Sequence, residues 1–339
     1  MASAAEGVLE QARRGLDTVL TSFDTSYVWQ YTDLRQGLRD LYEKAKREQW
    51  NATTELAWDT QVDPQAEIIP AAFNPLADYE PYKKLDARGV ARFNHAQLSW
   101  QLSQFMHGEQ GAMLTASQLV AAVPAIDAKY YAASQTLDEA RHVEVFSRYL
   151  AEKLEWEWPI NPNLKGLLDL ILTDARWDLK YLGMQILVEG LAMAAFANLY
   201  QLAREPLIKQ LIHYVMRDEA RHVAFGVLSL AGFYAELSEA ELRDREEFII
   251  DACWLMRDRL IGDDVADAMG FDRDEVREVV LASPIMQQFR QLLFARVVPN
   301  IKKLGLLTPR VRRAFEGMGI LHFEDSDPAV QDRAFGLSA

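Results

Sequence analysis

DEARHV, read at residues 138–143, returns letter for letter at residues 218–223. Glu109 and Glu189 share the same offset of eighty residues, and each lies thirty residues before the glutamate of its DEARHV. The repeated unit is therefore a helical hairpin used twice. Within each copy Glu139 and His142, or Glu219 and His222, stand at i and i+3, which puts carboxylate and imidazole on one helix face. Glu109 lies 15 residues before Pro124 and Glu139 lies 15 after it. At 1.5 Å of rise per residue, both are about 20 Å from the turn, so an antiparallel hairpin brings them to one height. Around Pro206 the corresponding distances are 17 residues to Glu189 and 13 to Glu219. Two such hairpins packed together deliver four carboxylates and two imidazoles at a single level.

The surroundings of the unpaired glutamates point the same way. Glu189 sits in QILVEGLAMAAFANLY and Glu109 in FMHGEQGAMLTASQLV, segments with little room for a solvated carboxylate. A buried charge costs several kcal/mol unless paired or metal-bound. A buried ion-pair network using Arg141 and Arg221 is the alternative, and it explains neither the two histidines nor the repeat. Four carboxylates balance two divalent ions, and one imidazole per metal with no thiolate suits iron or manganese. Ferritin-like dinuclear bundles use this ligand set. The candidate ligands are Glu109, Glu139, His142, Glu189, Glu219 and His222.

Outward from the repeat, helical periodicity divides at Pro124, at WPINPN (158–163) and at Pro206. Long helices are expected at about 90–121, 126–154, 182–203 and 207–236, with a further helical stretch near 165–180. The class is all-α, a ferritin-like four-helix bundle with additional helices. Residues 1–85 carry an amphipathic helix at 34–49 and a wrapping loop whose Trp50, Trp58, Phe73, Tyr79 and Tyr82 speak against a flexible linker. The bundle occupies 86–236 and further helices 237–320, opened by a Ser238–Glu241 capping box. The last segment, 321–339, reads as an irregular tail.

The 339 residues carry a formal charge of −14, which argues against nucleic acid or an anionic membrane surface as partner. Cys253 is the single cysteine and lies in an apolar run, so it reads as a buried small hydrophobe. No disulfide, cysteine-based zinc site or iron–sulfur site can be built from it. The N-terminal MASAAEGVLEQARRGL lacks a secretory apolar stretch, and no uninterrupted apolar run reaches bilayer length. A cytoplasmic protein with no membrane partner is the expectation.

The Asp-Glu-x-Arg-His form of both motifs, with Gly108-Glu109 followed by small residues, resembles the ferritin-like non-haem di-iron oxygenases. Within them it resembles the hydroxylase α-subunits of bacterial multicomponent monooxygenases, over about residues 95–230. The resemblance implies that Glu109, Glu139 and His142 hold one iron and Glu189, Glu219 and His222 the other, with at least one bridging glutamate. It implies that Asp138 and Asp218 orient the imidazoles and that Arg141 and Arg221 neutralise them; a helix-surface salt bridge is the alternative role. Those monooxygenases carry a threonine where this chain has Met193, which leaves proton delivery to Thr115 or water. Aryl-amine oxygenases of the superfamily carry an added histidine where this chain has Val215. Phe105, Ala112, Phe146, Ala192, Met193 and Phe196, near the ligands, are candidates to line an apolar substrate pocket. His107 and His213 lie off the ligand faces.

The activity so implied is O2-dependent hydroxylation, or another oxidation, of a small or medium organic molecule. Electrons would come from a separate reductase or ferredoxin, because the chain shows no flavin, nicotinamide or iron–sulfur motif. N-oxygenation of an amine is an alternative. Metal storage and radical generation, as in the small subunit of a ribonucleotide reductase, are alternatives of other classes. Length and the helices beyond 239 oppose storage. Phe146 stands where the radical tyrosine usually sits, and no tyrosine follows Tyr234. Some such subunits pair phenylalanine with manganese and iron, so an Mn/Fe pair stays open beside two Fe, and a homodimer is the candidate assembly.

Overall fold

The structure is a computed structural model that describes residues 16–32, 35–63 and 66–337; the N-terminal stretch read for a secretory signal falls almost wholly outside them. It contains helices and no strand among the described residues. Helix α1 (Gln36–Arg47) precedes the wrapping loop, which includes one helical turn at Glu80–Lys83. The bundle follows as α2 (Ala87–Ala122), α3 (Ile126–Tyr149), α5 (Trp177–Leu202) and α6 (Pro206–Leu230), with α4 (Pro162–Thr173) bridging the hairpins. Then come α7 (Glu239–Asp258), α8 (Asp264–Met269), α9 (Arg273–Ala282), α10 (Pro284–Leu292), α11 (Val297–Lys303), α12 (Pro309–Gly317) and α13 (Pro328–Ala334).

Local chemistry sets the boundaries. Asp86 caps α2 through Gly89 N, and Asn161 caps α4 through Leu164 N with Pro162 at its first position. Glu205 caps α6 by accepting from Leu207 N and Ile208 N, and the Ser238–Glu241 capping box opens α7. The helix expected near 165–180 is cut at Thr173, and the next begins at Trp177 rather than 182. Lys180 reaches back from α5 and donates to the carbonyls of Ile171 and Leu172, closing the end of α4. Helix α6 stops at Leu230, where left-handed Gly232 precedes a 3-10 turn at Phe233–Glu236. The tail, expected to be irregular, instead forms α13, whose Asp332 pairs with buried Arg296 at 2.6 Å.

Two further features correct or refine the sequence reading. Trp177–Leu202 is by length and composition apolar enough to cross a bilayer, although Asp178, Lys180 and Glu189 interrupt it. Its most apolar window is 89% buried inside the protein, because α5 is packed by α6, α7 and α11 around the bundle. Within it, Leu182–Val188 is a π-helical stretch running directly into Glu189, a local widening often found at functional sites. Gly226 on α6 allows that stretch to approach: a Cβ there would lie 2.6 Å from Gln185 Cβ. Across the bundle, α1 lies over α3 and α6 and is tied by Arg39 to buried Asp127 at 2.7 Å.

Candidate metal centre

All six proposed ligand residues come together in the middle of the bundle, and all are buried. Ligand atoms of Glu109, Glu139, His142 and Glu219 lie within 4.8 Å of one another, as do those of Glu139, Glu189 and His222. The partition differs from the resemblance at Glu219, which falls in the group of Glu109 and His142, while Glu139 belongs to both. Glu219 Oε1 lies 3.2 Å from His142 Nδ1 and 3.4 Å from His222 Nδ1. Both motif glutamates thus occupy the middle, while Glu109 and Glu189 flank them. That follows from the antiparallel packing of α3 against α6, which sets the two motifs face to face.

Both imidazoles turn Nδ1 inward. His142 Nδ1 is 3.2 Å from Glu139 and 3.4 Å from Glu109, and His222 Nδ1 is 3.1 Å from Glu139. Their Nε2 atoms point to aspartates, and the pairing is crossed: His142 to Asp218 at 3.2 Å, His222 to Asp138 at 3.3 Å. Each aspartate therefore serves the histidine of the other hairpin. A proton held on Nε2 leaves the Nδ1 lone pair for a metal.

The aspartates are themselves held. Arg141 donates to Asp138 at 2.5 Å and to Asp218 at 2.8 Å, and Arg221 pairs with Asp218. These ion pairs are buried rather than on a helix surface. The end of α1 completes the layer: Gln49 donates to Asp138 at 2.9 Å, the Trp50 indole N–H to Asp218 at 2.8 Å, and Arg221 donates to Glu48 at 2.8 Å. The two aspartates are balanced by Arg141 and Arg221, so neither of these arginines is left to pair with the four glutamates.

The glutamates consequently keep unsatisfied atoms. Glu189 Oε2, both Glu219 oxygens and His222 Nδ1 are buried and have no hydrogen-bond partner among the described residues. Such groups are rare without an unseen ion or water. Burial, then the Glu219 charge, holds Glu109 and Glu189 well above the usual carboxylate range. Burial also raises Glu139, but His222 and His142 outweigh it and leave the carboxyl below that range. Burial would lower both histidines; surrounding carboxylates overcome it and raise them well above their ordinary value. The donor set fits two divalent cations, which would replace the protons this cluster otherwise shares.

Several contributors were invisible in the motif. Gln135 Nε2 donates to Glu139 at 2.9 Å and to Glu189 at 2.8 Å, and Gln185 Nε2 donates to Gln135 at 3.3 Å. Gln135 stands one turn before Glu139, and that spacing was its only signal in the sequence. Arg259, just past α7, borders a cavity of about 20 Å³ together with Glu109, Glu189 and Glu219. Burial pushes its guanidinium down to about 10, with Glu109 opposing the shift.

Of the six pocket candidates, Phe105, Ala112, Ala192 and Phe196 line this cavity, whereas Phe146 and Met193 do not. Phe105 and Phe196 meet edge-on with centroids 4.8 Å apart, and Phe146 packs behind them at 6.1 and 6.0 Å. Thr115 donates its hydroxyl to the Gly111 carbonyl at 2.9 Å instead of offering it to the cluster. His107 Nε2 is 2.9 Å from the Trp158 carbonyl, and His213 packs on Tyr200; neither belongs to the ligand groups.

The sequence profile described as p-aminobenzoate N-oxygenase AurF matches residues 32–305. No curated protein matches the chain. Among solved structures, a single-substitution variant of an R2-like ligand-binding oxidase with anaerobically reconstituted Mn/Fe cofactor aligns at 15% identity and a TM-score of 0.48. It covers 81% of this chain and 96% of its own. Another variant, aerobically reconstituted, aligns at 17% identity and a TM-score of 0.47, covering 79% and 99%.

Proposed function

We propose that this chain, which belongs to the p-aminobenzoate N-oxygenase AurF family, holds two iron ions with Glu109, Glu139, His142, Glu189, Glu219 and His222 and oxygenates a small or medium organic molecule with O2. The observation that carries it is the convergence of these six buried groups with carboxylate oxygens left unpartnered. Glu139 and Glu219 are the bridging candidates, from their reach to both histidines. When bound, the metal pair supplies the reduction of O2 and the oxidising power.

The chain's own residues do the rest. Asp218 and Asp138 keep the Nε2 protons and aim Nδ1 inward. Gln135 fixes two carboxylates with one amide. Phe105, Phe146 and Phe196 exclude bulk water, and the 20 Å³ cavity has room for about one water to carry a proton beside Glu109. Thr115 is already committed to Gly111, so water takes that role. Family membership favours an amine nitrogen over a C–H bond as the oxidised atom. Val215, buried one turn before Glu219, supplies no seventh ligand, so N-oxygenation here would proceed with six. We also propose a separate reductase or ferredoxin as electron donor, a reducing cytoplasmic setting consistent with one buried cysteine, and a homodimer.

The test reduces the iron-loaded protein anaerobically, adds O2, and follows optical and EPR signals with metal analysis. The expected result is two irons per chain and an O2-dependent optical change that an aromatic amine shortens, with one atom of 18O in the product. Growing mineral absorbance would point to storage, and a persistent organic radical to a radical-generating subunit. Either would overturn the reading, and manganese beside iron would revise the metal pair.

A further inference from the structure

A second cavity, of about 450 Å³, a size typical of small-molecule sites, is walled by neighbouring stretches of two of the helices that wall the metal centre. It is walled by α2, the C-terminal part of α5, α10, the loop at 69–75 and residues 260–262. Three of these walls also border the small cavity at the metals, a few residues away along the chain. On α2 the outer cavity ends at Gln101 and the inner one begins at Gln104 and Phe105; on α5, Phe196 faces the inner cavity and Asn198 the outer. On the third wall the boundary falls between Arg259 and Leu260. Gln101 precedes Glu109 by eight residues, about 12 Å along the helix. On both helices the edge-on pair Phe105 and Phe196 lines the inner cavity at its end nearer in sequence to the outer one.

The lining of the outer cavity is unusual in one respect: it contains no acidic or basic residue. Its polar groups are carboxamides, and Gln97, Gln101 and Asn198 are half-buried with no side-chain hydrogen-bond partner among the described residues. Each offers a donor and an acceptor. Trp100, Phe73 and Phe289 add flat apolar surface. An ionised carboxylate entering here would lose hydration with no cation to meet it. Arg259, the cation of the inner cavity, lines it with Glu109 and is absent from the outer lining, though it also borders a side cavity of about 210 Å³ that shares Trp100, Ile261 and Gly262 with the outer one. A larger groove of about 920 Å³ between α1, α6 and α11 is rimmed by charges of both signs and shares no residue with the metal cavity.

We propose that the 450 Å³ cavity is the substrate-admitting chamber of this oxygenase and that it selects an uncharged aromatic compound bearing neutral hydrogen-bonding groups, rejecting the carboxylate for which the family is named. The proposal rests on the oxygenase reading. It makes the carboxamides the specificity determinants and the phenylalanine pair the gate.

A matched pair of probes tests it: 4-aminobenzamide and 4-aminobenzoate, titrated anaerobically by calorimetry into the intact iron-loaded chain. The amide should bind at least ten-fold more tightly. Gln101→Arg should reverse the order, and Gln97→Trp, which fills the chamber from a half-exposed position, should weaken the amide at least ten-fold at unchanged metal content. Equal or tighter binding of 4-aminobenzoate, undetectable binding of the amide, or indifference to both substitutions would overturn the chamber. Metal analysis on the same samples keeps the failures apart. Two bound ions without the preference defeat the chamber alone, whereas an inability to hold two ions defeats the function on which it rests.

Discussion

The two sides of the dinuclear cluster are built on opposite principles. On the imidazole side, the aspartates are met by arginine, glutamine or indole donors: Asp138 by Arg141 and Gln49, Asp218 by Arg141, Arg221 and Trp50. On the glutamate side, Glu189 and Glu219 keep unpartnered oxygens, and the neighbours are phenyl rings, alanines and one desolvated arginine. The aspartate layer of the first side is satisfied at every carboxylate oxygen without a metal. The second is not, and its unmet demand is what a metal ion answers. Such a division lets one layer hold geometry while the other is left free for chemistry.

The contrast predicts where stability and metal binding separate. Asp218→Ala should cost the most, about 3–5 kcal/mol in chemical denaturation of the metal-free protein, because it strands Arg221, the Trp50 indole and His142 together. A loss below about 1 kcal/mol would show that the aspartate layer is not structural. Glu189→Gln should have the opposite signature: metal-free stability unchanged or slightly higher, with metal content falling from two ions towards one. Its pH dependence follows from the raised carboxyl. A group whose folded value lies above its unfolded one stabilises at low pH and loses that contribution as pH rises through the folded value. Glu109, His142 and His222 are displaced the same way, so metal-free stability should decline from the carboxylate range upward, less steeply in Glu189→Gln. A variant that binds two metals normally, or is markedly less stable, would erase the distinction between the sides.

What the sequence made legible is what local periodicity controls. The equal distances of Glu109 and Glu139 from Pro124 survive as α2 ending at Ala122 and α3 opening at Ile126. The repeat survives as a pair of facing motifs. What stayed hidden depends on how the hairpins cross and on what the rest of the chain lays over them. Asp218 reaching His142, 76 positions away, and Trp50 reaching Asp218, 168 away, are products of packing rather than of any motif. Arg259 lies just past a helix outside the repeat, and the π-helical stretch before Glu189 has no sequence marker of its own. Met193 and Phe146 are near the ligands in sequence but rotate or sit away from the cavity, because one turn of helix alone does not fix which face is open.

Diffraction from crystals grown with ferrous salt, recorded on both sides of the iron absorption edge, tests the dinuclear centre most directly. Two anomalous peaks should appear within the six-residue cluster, one against Glu109 and His142 and the other against Glu189 and His222, with Glu139 and Glu219 between them. A single peak, peaks elsewhere, or an undisturbed cluster without iron would contradict the assignment.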